Sequence, residues 1–227
     1  MKLGVLVSGR GSNLEAVLNA IASGRLPDVE PVLVISNRPA VPALAIAERH
    51  GVRTRVLRRA DFADRAARDA AIGRALAESG AELALLAGYD QLLAGAYFAA
   101  FAGRTINVHP SLLPRHGGAG MMGLAVHASV LAAGDPQTGV TIHDVTPELD
   151  QGSPIAQVRV AVGAGETAAQ LAARVLVLEH ELVVAVLARL VAEGSGVHLS
   201  ASMTAAPRAR TRPRTTRTTH ERHVPDA

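Results

Sequence analysis

The chain has 227 residues, 48% of them hydrophobic and 19% charged, with 2% aromatics, no Trp and no Cys. That length and apolar content suit one large domain with a core of Ala, Val and Leu, and they exclude a chain disordered over most of its length. The missing Cys excludes a disulfide scaffold, a thiolate metal site and a Cys nucleophile. No run of about 18 apolar residues is present to cross a membrane, and Leu3–Val7 is too short for the apolar region of a signal peptide. The net charge of +3 is unevenly placed: six Arg against Glu221 and Asp226 put +4 in residues 207–227 and leave −1 on the body. That Arg/Thr/Pro tail has no aromatic to stack a base. Residues 201–227 are therefore expected as a disordered extension and not a nucleic-acid arm.

Taken in chain order, apolar runs alternate with helical patterns. Leu3–Val7 predicts a buried strand, and Leu14, Val17, Leu18 and Ile21 follow at helix period up to Gly24. Val32–Ile35 and Thr54–Leu57 predict strands on either side of a short helix from Pro42 to His50. A helix from Ala63 to Ser79 precedes strands at Leu83–Ala87 and Thr105–Val108. Strands separated by helices give crossover units and a mostly parallel sheet, and near-continuous apolar strands give a sheet covered on both faces. Gly139–Asp144 and Pro154–Val162 predict two more strands, the second alternating and half exposed. A long helix runs from Thr167 to Glu193 with the stripe Leu171, Val175, Leu178, Leu182, Val186 and Leu190, and Val197–Leu199 is a short candidate strand. The expected fold is α/β: an open, mostly parallel twisted sheet with helices on both faces, Rossmann-like, over residues 1–200.

Two places carry chemistry. SGRGSN at 8–13 lies between the first strand and the first helix, where open α/β sheets bind phosphates on backbone N–H groups. Leu14 stands where a dinucleotide fingerprint has its third Gly, and no GK[ST] follows, so neither a dinucleotide nor a Walker A loop is met. A phosphate monoester fits better. The competing explanation is structural, because Ser12 and Glu15 spell a capping box. The second place is INVHP at 106–110: Asn107 and His109 are two apart at a strand's C-terminal end and project together. An amide and an imidazole side by side suit a developing oxyanion, and the His can also move a proton near neutral pH. A carboxylate must support the ring. Asp150 is the first candidate and Asp144, at a strand end, the rival. No histidine pair has metal-ligand spacing on a helix, so no metal is expected. His116, His127 and His180 are taken as solvated or supporting residues.

SGRGSN, Ser36-Asn37, LAGY at 86–89, INVHPSLLP at 106–114, GDPQTGVTIH, ELDQG at 148–152 and the pair Glu179-His180 together resemble the folate-dependent formyltransferases, over about residues 1–200. The resemblance is strongest to the branch acting on glycinamide ribonucleotide. It implies transfer of the formyl group of 10-formyltetrahydrofolate, the co-substrate, to the substrate amine in purine biosynthesis, in the cytoplasm, by a monomer or homodimer acting on small molecules. It implies Asn107, His109 and Asp150 as the catalytic trio, and Gly11, Ser12 and Asn13 as the substrate phosphate loop. Glu179 is then a substrate-binding acid, as its place on an apolar stripe also suggests. Arg65, Leu86, Tyr89, Asp90, Gln91, Leu92 and Leu93, with Asn107, fall at the folate-binding positions, and Arg104 is a further charge contact. Asp90-Gln91 departs from the apolar residue and Arg common there, which bears on folate recognition. RHGGAGMMGLAVH follows a GGxGMxGxxVH variant of its loop. The alternatives are a formyltransferase acting on methionyl-tRNA, whose relatives carry a further C-terminal domain, and a formyltetrahydrofolate hydrolase, which needs an N-terminal regulatory domain. A non-catalytic nucleotide- or folate-binding protein would not need Asn107, His109 and Asp150 at once.

Overall fold

In the computed structural model, residues 1–194 are described. The elements are β1 (Lys2–Val7), α1 (Ser12–Ala22), β2 (Glu30–Ser36), α2 (Pro42–Arg49), β3 (Thr54–Val56), α3 (Arg65–Glu78), β4 (Leu83–Leu86), α4 (Gly95–Ala100), β5 (Arg104–His109), α5 (Leu124–Ala132), β6 (Gln137–Asp144), β7 (Pro154–Ala161) and α6 (Ala168–Gly194). The strand expected at Val197–Leu199 and the tail at 201–227 lie outside the described residues.

The seven strands form one sheet in the order β3-β2-β1-β4-β5-β6-β7. The pairs from β3 to β5 are parallel, and β6 and β7 are antiparallel additions at one edge. Alternation along the strands divides the core. Leu3, Val5 and Val7 of β1 face a cluster shared with α1, α2, α5 and α6, while Leu6 faces a second cluster shared with α3 and α4. A sheet buried on both sides has no polar face to show, which is why β1 and β4 read as continuous apolar runs. β7 is the edge strand, and its half-buried alternation follows from having one covered face.

Helix starts follow local chemistry. Asp64 Oδ1 accepts from Ala67 N at 2.7 Å and caps α3, so that helix begins at Arg65 and not at Ala63. Pro42 opens α2, with Val41 extended before it. Two helices escape the sequence reading. α4 is only six residues long, and the nine residues of α5 are apolar apart from His127 and Ser129, so neither shows a clear amphipathic period. Along α6 the buried line is Leu171, Val175, Glu179, Val183 and Leu187, while Leu178, Leu182 and Leu190 are only partly buried on its shoulder. Of the expected stripe Leu171, Val175 and Val186 are buried, and Glu179, Val183, Val184 and Leu187 complete the covered face. Among the described residues no helix is long and apolar enough to cross a membrane.

Strand order reverses between β1 and β4, and there the crevice at the strands' C-terminal ends opens.

Candidate active site

A cleft of about 950 Å³ occupies that crevice. It is lined at one end by residues 8–13 and at the other by Asn107, His109 and Asp150. Such a volume accommodates ligands of drug size or larger.

At the first end, β1 runs into α1 through Gly11, which has φ +79° and takes the position before the first helical residue. A Cβ there would stand 2.6 Å from Ala43 Cβ and 2.8 Å from its Cα. Only Gly supplies both the left-handed backbone and the close approach of α2. Ser12 is the first helical residue, no side chain caps α1, and Glu15 pairs with Arg49 at 3.4 Å. The capping box is therefore not formed, and the structural explanation for Ser12 falls with it. The first N–H groups of α1 have no side-chain cap, and Gly11, Ser12 and Asn13 line the cleft, an arrangement suited to an anion and reinforced by the helix dipole. Behind them Asn13 Nδ2 donates to Glu179 Oε2 at 2.7 Å. Asn13 Oδ1 is buried without a partner among the described residues. Burial pushes the Glu179 carboxyl above the usual range, against the Asn13 hydrogen bond and the Arg10 charge, which pull it down.

At the other end, β5 and β6 pair antiparallel with Asn107 directly opposite His143. His143 Nδ1 donates to the Asp144 carbonyl at 2.9 Å, so its Nε2 accepts from Asn107 Nδ2 at 3.1 Å. Burial holds this imidazole below the usual His range, consistent with a neutral acceptor. The Asn107 amide has two hydrogens, so one stays available to a ligand oxygen while the other fixes its orientation. His109 is 4% exposed. Its Nε2 donates to the His116 carbonyl at 2.9 Å, and its Nδ1 lies 3.8 Å from Asp150 Oδ2. Asp150 has φ +55°, and its Oδ2 accepts from Gly118 N at 2.8 Å. Its Oδ1 lies 3.7 Å from His143 Nε2. One carboxylate thus faces two imidazoles and ties down the start of the glycine-rich loop.

The rival acid is occupied elsewhere. Asp144 receives Arg104 Nε at 2.6 Å and Nη2 at 3.0 Å, a bidentate pair that satisfies both side chains. Neither lines the cleft, so Arg104 is a structural partner and not a ligand contact.

Between the two ends runs a wall of Leu86, Tyr89, Asp90, Gln91, Leu92 and Leu93. Leu86, Tyr89 and Leu93 are buried. The Tyr89 hydroxyl has no partner among the described residues, and burial pushes it up to about 12. Asp90 is held by Asn37 Nδ2 at 2.7 Å and by an ion pair with Arg38, and its N–H donates to Ser8 Oγ at 3.0 Å. Gln91 Oε1 accepts from the buried Arg68, which pairs with Asp69. The Asp90-Gln91 pair is thus held by two arginines, Arg38 at the cleft surface and the buried Arg68. Arg65 is not among the lining residues; its Nη2 donates to the Leu92 carbonyl at 2.8 Å and braces that wall from outside.

Among the lining residues that sequence reasoning did not single out is His143. His143 stands opposite Asn107, which only the strand register shows. His127, on α5, is 3% exposed, with burial holding it below the usual His range. It is not solvated. Among the described residues no group of three or more His, Asp or Glu is arranged to hold a metal ion.

Residues 1–187 match the formyl transferase family. The chain is 41% identical over 197 residues to the trifunctional purine biosynthetic protein adenosine-3 of Gallus gallus, covering 86% of this chain and 19% of that protein. It therefore spans about a fifth of the trifunctional relatives it matches. It is 35% identical over 182 residues to phosphoribosylglycinamide formyltransferase of Escherichia coli, covering 80% of this chain and 83% of that one. Among solved structures, glycinamide ribonucleotide transformylase 1 from Symbiobacterium toebii superposes with a TM-score of 0.79 at 38% identity, covering 86% of this chain and 88% of the other. With matching sequence and overall fold, the chain belongs to the formyl transferase family.

Proposed function

We propose that the chain moves the formyl group of 10-formyltetrahydrofolate to the amine of glycinamide ribonucleotide, a step of purine biosynthesis carried out in the cytoplasm. One observation carries this reading. A single cleft has uncapped helix N–H groups at one end and an amide, an imidazole and a carboxylate at the other. An amine substrate bearing a phosphate spans such a cleft end to end, and the names of the relatives supply the reaction class.

In this reading Gly11, Ser12 and Asn13 hold the substrate phosphate, and Glu179 receives polar groups of the same substrate. The slot of Leu86, Tyr89 and Leu93 takes the pterin, an apolar wall suited to a flat heterocycle. The substrate amine attacks the formyl carbon, and negative charge collects on the formyl oxygen. Asn107 Nδ2–H and the Nδ1–H of the protonated His109 donate to that oxygen, the Nε2–H staying on the His116 carbonyl. Such donors, fixed in a dry site, account for about 10²–10³ in rate each. Asp150 faces the imidazolium charge and takes part in moving the amine proton toward the folate nitrogen that leaves.

The test is an assay with both substrates, following folate absorbance and formylated product. Stoichiometric transfer that needs both compounds supports the reading. Tight binding of both with no transfer favours a binding protein and overturns it, as does transfer to methionyl-tRNA alone.

A further inference from the structure

The loop after β5 holds a cluster that the proposed reaction does not use directly. His116 is backbone-strained for a non-glycine residue, with φ +55°. Its ring is clamped on both sides: Nε2 donates to Asp135 Oδ2 at 2.8 Å, and Nδ1 shares a hydrogen bond with Ser129 Oγ at 2.8 Å. Asp135 also receives Arg115 Nη2 at 2.5 Å. The side chain therefore reaches from the loop to α5 and to the turn before β6.

The same residue's carbonyl is what His109 Nε2 donates to, at 2.9 Å. A neutral imidazole carries one proton, and the partner of one nitrogen decides which nitrogen holds it. With Nε2–H committed to a carbonyl, Nδ1 is left to take up and release a proton, and Nδ1 is the nitrogen that faces Asp150. We propose that His116, clamped by Asp135 and Ser129, is a positioning residue for His109: its ring pins a left-handed backbone whose carbonyl fixes the His109 tautomer and directs Nδ1 toward Asp150.

The rest of the loop agrees. Thr141 Oγ1 donates to the Ser111 carbonyl at 2.7 Å, and Gln157 Nε2 donates to the Leu113 carbonyl at 3.0 Å, so residues 111–113 are already stitched to β6 and β7. The His116 clamp extends that stitching to the carbonyl that accepts from His109 Nε2. A strained φ persists only where surroundings over-determine it, and here two side-chain hydrogen bonds do so.

The inference rests on the proposed role of His109, but its main readout does not need turnover. Nitrogen-15 NMR of the histidine rings reports which nitrogen carries the proton. In the unaltered chain His109 is expected as the Nε2–H tautomer. His116→Gly keeps the left-handed backbone and deletes the clamp; Asp135→Ala releases the ring with the loop sequence intact. Both are expected to give a mixture of His109 tautomers and to lower kcat by about tenfold, with KM within about twofold. Asp135→Asn keeps an acceptor for His116 Nε2 and is expected to retain the single tautomer and most of the turnover. An unchanged His109 tautomer in both His116→Gly and Asp135→Ala overturns the proposal, whatever happens to kcat. Inactivity of the unaltered chain on the substrate pair would instead overturn the formyl-transfer reading and leave the tautomer result decisive.

Discussion

The two ends of the cleft are built in opposite ways. The anion-binding end comes from one short segment, residues 8–13, whose glycine, helix start and backbone N–H groups are local properties of the chain. The catalytic end joins β5, the loop holding Asp150, the loop holding His116, and His143 on β6, and no two of its essential contacts lie in one turn of chain. The first end depends on shape and close approach, so small steric changes damage it. The second depends on hydrogen-bond geometry, so isosteric changes damage it while the fold persists.

The largest expected effect tests that second statement. His109→Ala removes a donor and a proton carrier together, and turnover is expected to fall by at least about 10³-fold with little change in thermal stability. Steady-state assays and a melting curve check it; near-normal turnover contradicts the assignment. Asp150→Asn keeps the shape but loses the charge, and a kcat loss of about 10- to 100-fold is expected, with an altered pH–rate profile. A profile superposable on that of the unaltered chain would argue against the pairing with His109.

At the other end, Gly11→Val must place a side chain into Ala43 in a left-handed backbone. Weaker substrate binding by at least about tenfold and a clear loss of Tm are expected together. Arg10→Ala, an exposed side chain beside the same loop, should change affinity by less than about threefold. Equal effects of the two would weaken the backbone-amide account.

Glu179→Gln sits between the two cases. The folded-state carboxyl is raised by burial, so its ionised form opposes folding and the penalty grows as pH rises through the folded value. Glutamine keeps an oxygen for Asn13 Nδ2. A Tm gain of about 2–4 °C at pH 8, vanishing near pH 4, is expected alongside weaker substrate binding. His127 and His143 work in the other direction: burial lowers both, so their contribution is complete above the unfolded value of about 6.5 and is lost as pH falls below it. Thermal unfolding should show Tm falling from pH 7 to 5, with a shallower fall in His127→Leu. The smallest effect is expected from truncation after Ala206, which should leave turnover unchanged.

Legibility in the sequence followed the same divide. Leu3–Val7, Leu83–Ala87 and the first helix were readable because burial on both faces and a 3.6-residue period are local patterns. Asn107 and His109 were readable because two residues apart on a strand end must share a side. Asp150 was readable as the first candidate acid but not separable from its rival Asp144; the Arg104 pair that occupies Asp144 is a contact across antiparallel strands. His143 was passed over because its position opposite Asn107 is a matter of register, and the burial of His127 was not legible because α5 has no clear amphipathic period. Ser12 was ambiguous between cap and ligand contact until Gly11 was seen to take the capping position.

The central claim is that one substrate is gripped at one end and transformed at the other. Calorimetric titration of glycinamide ribonucleotide into His109→Ala tests it most directly. The account predicts a Kd within about twofold of the unaltered chain while transfer is lost. A Kd weakened more than about tenfold would contradict it, because binding and chemistry would then share the same residues.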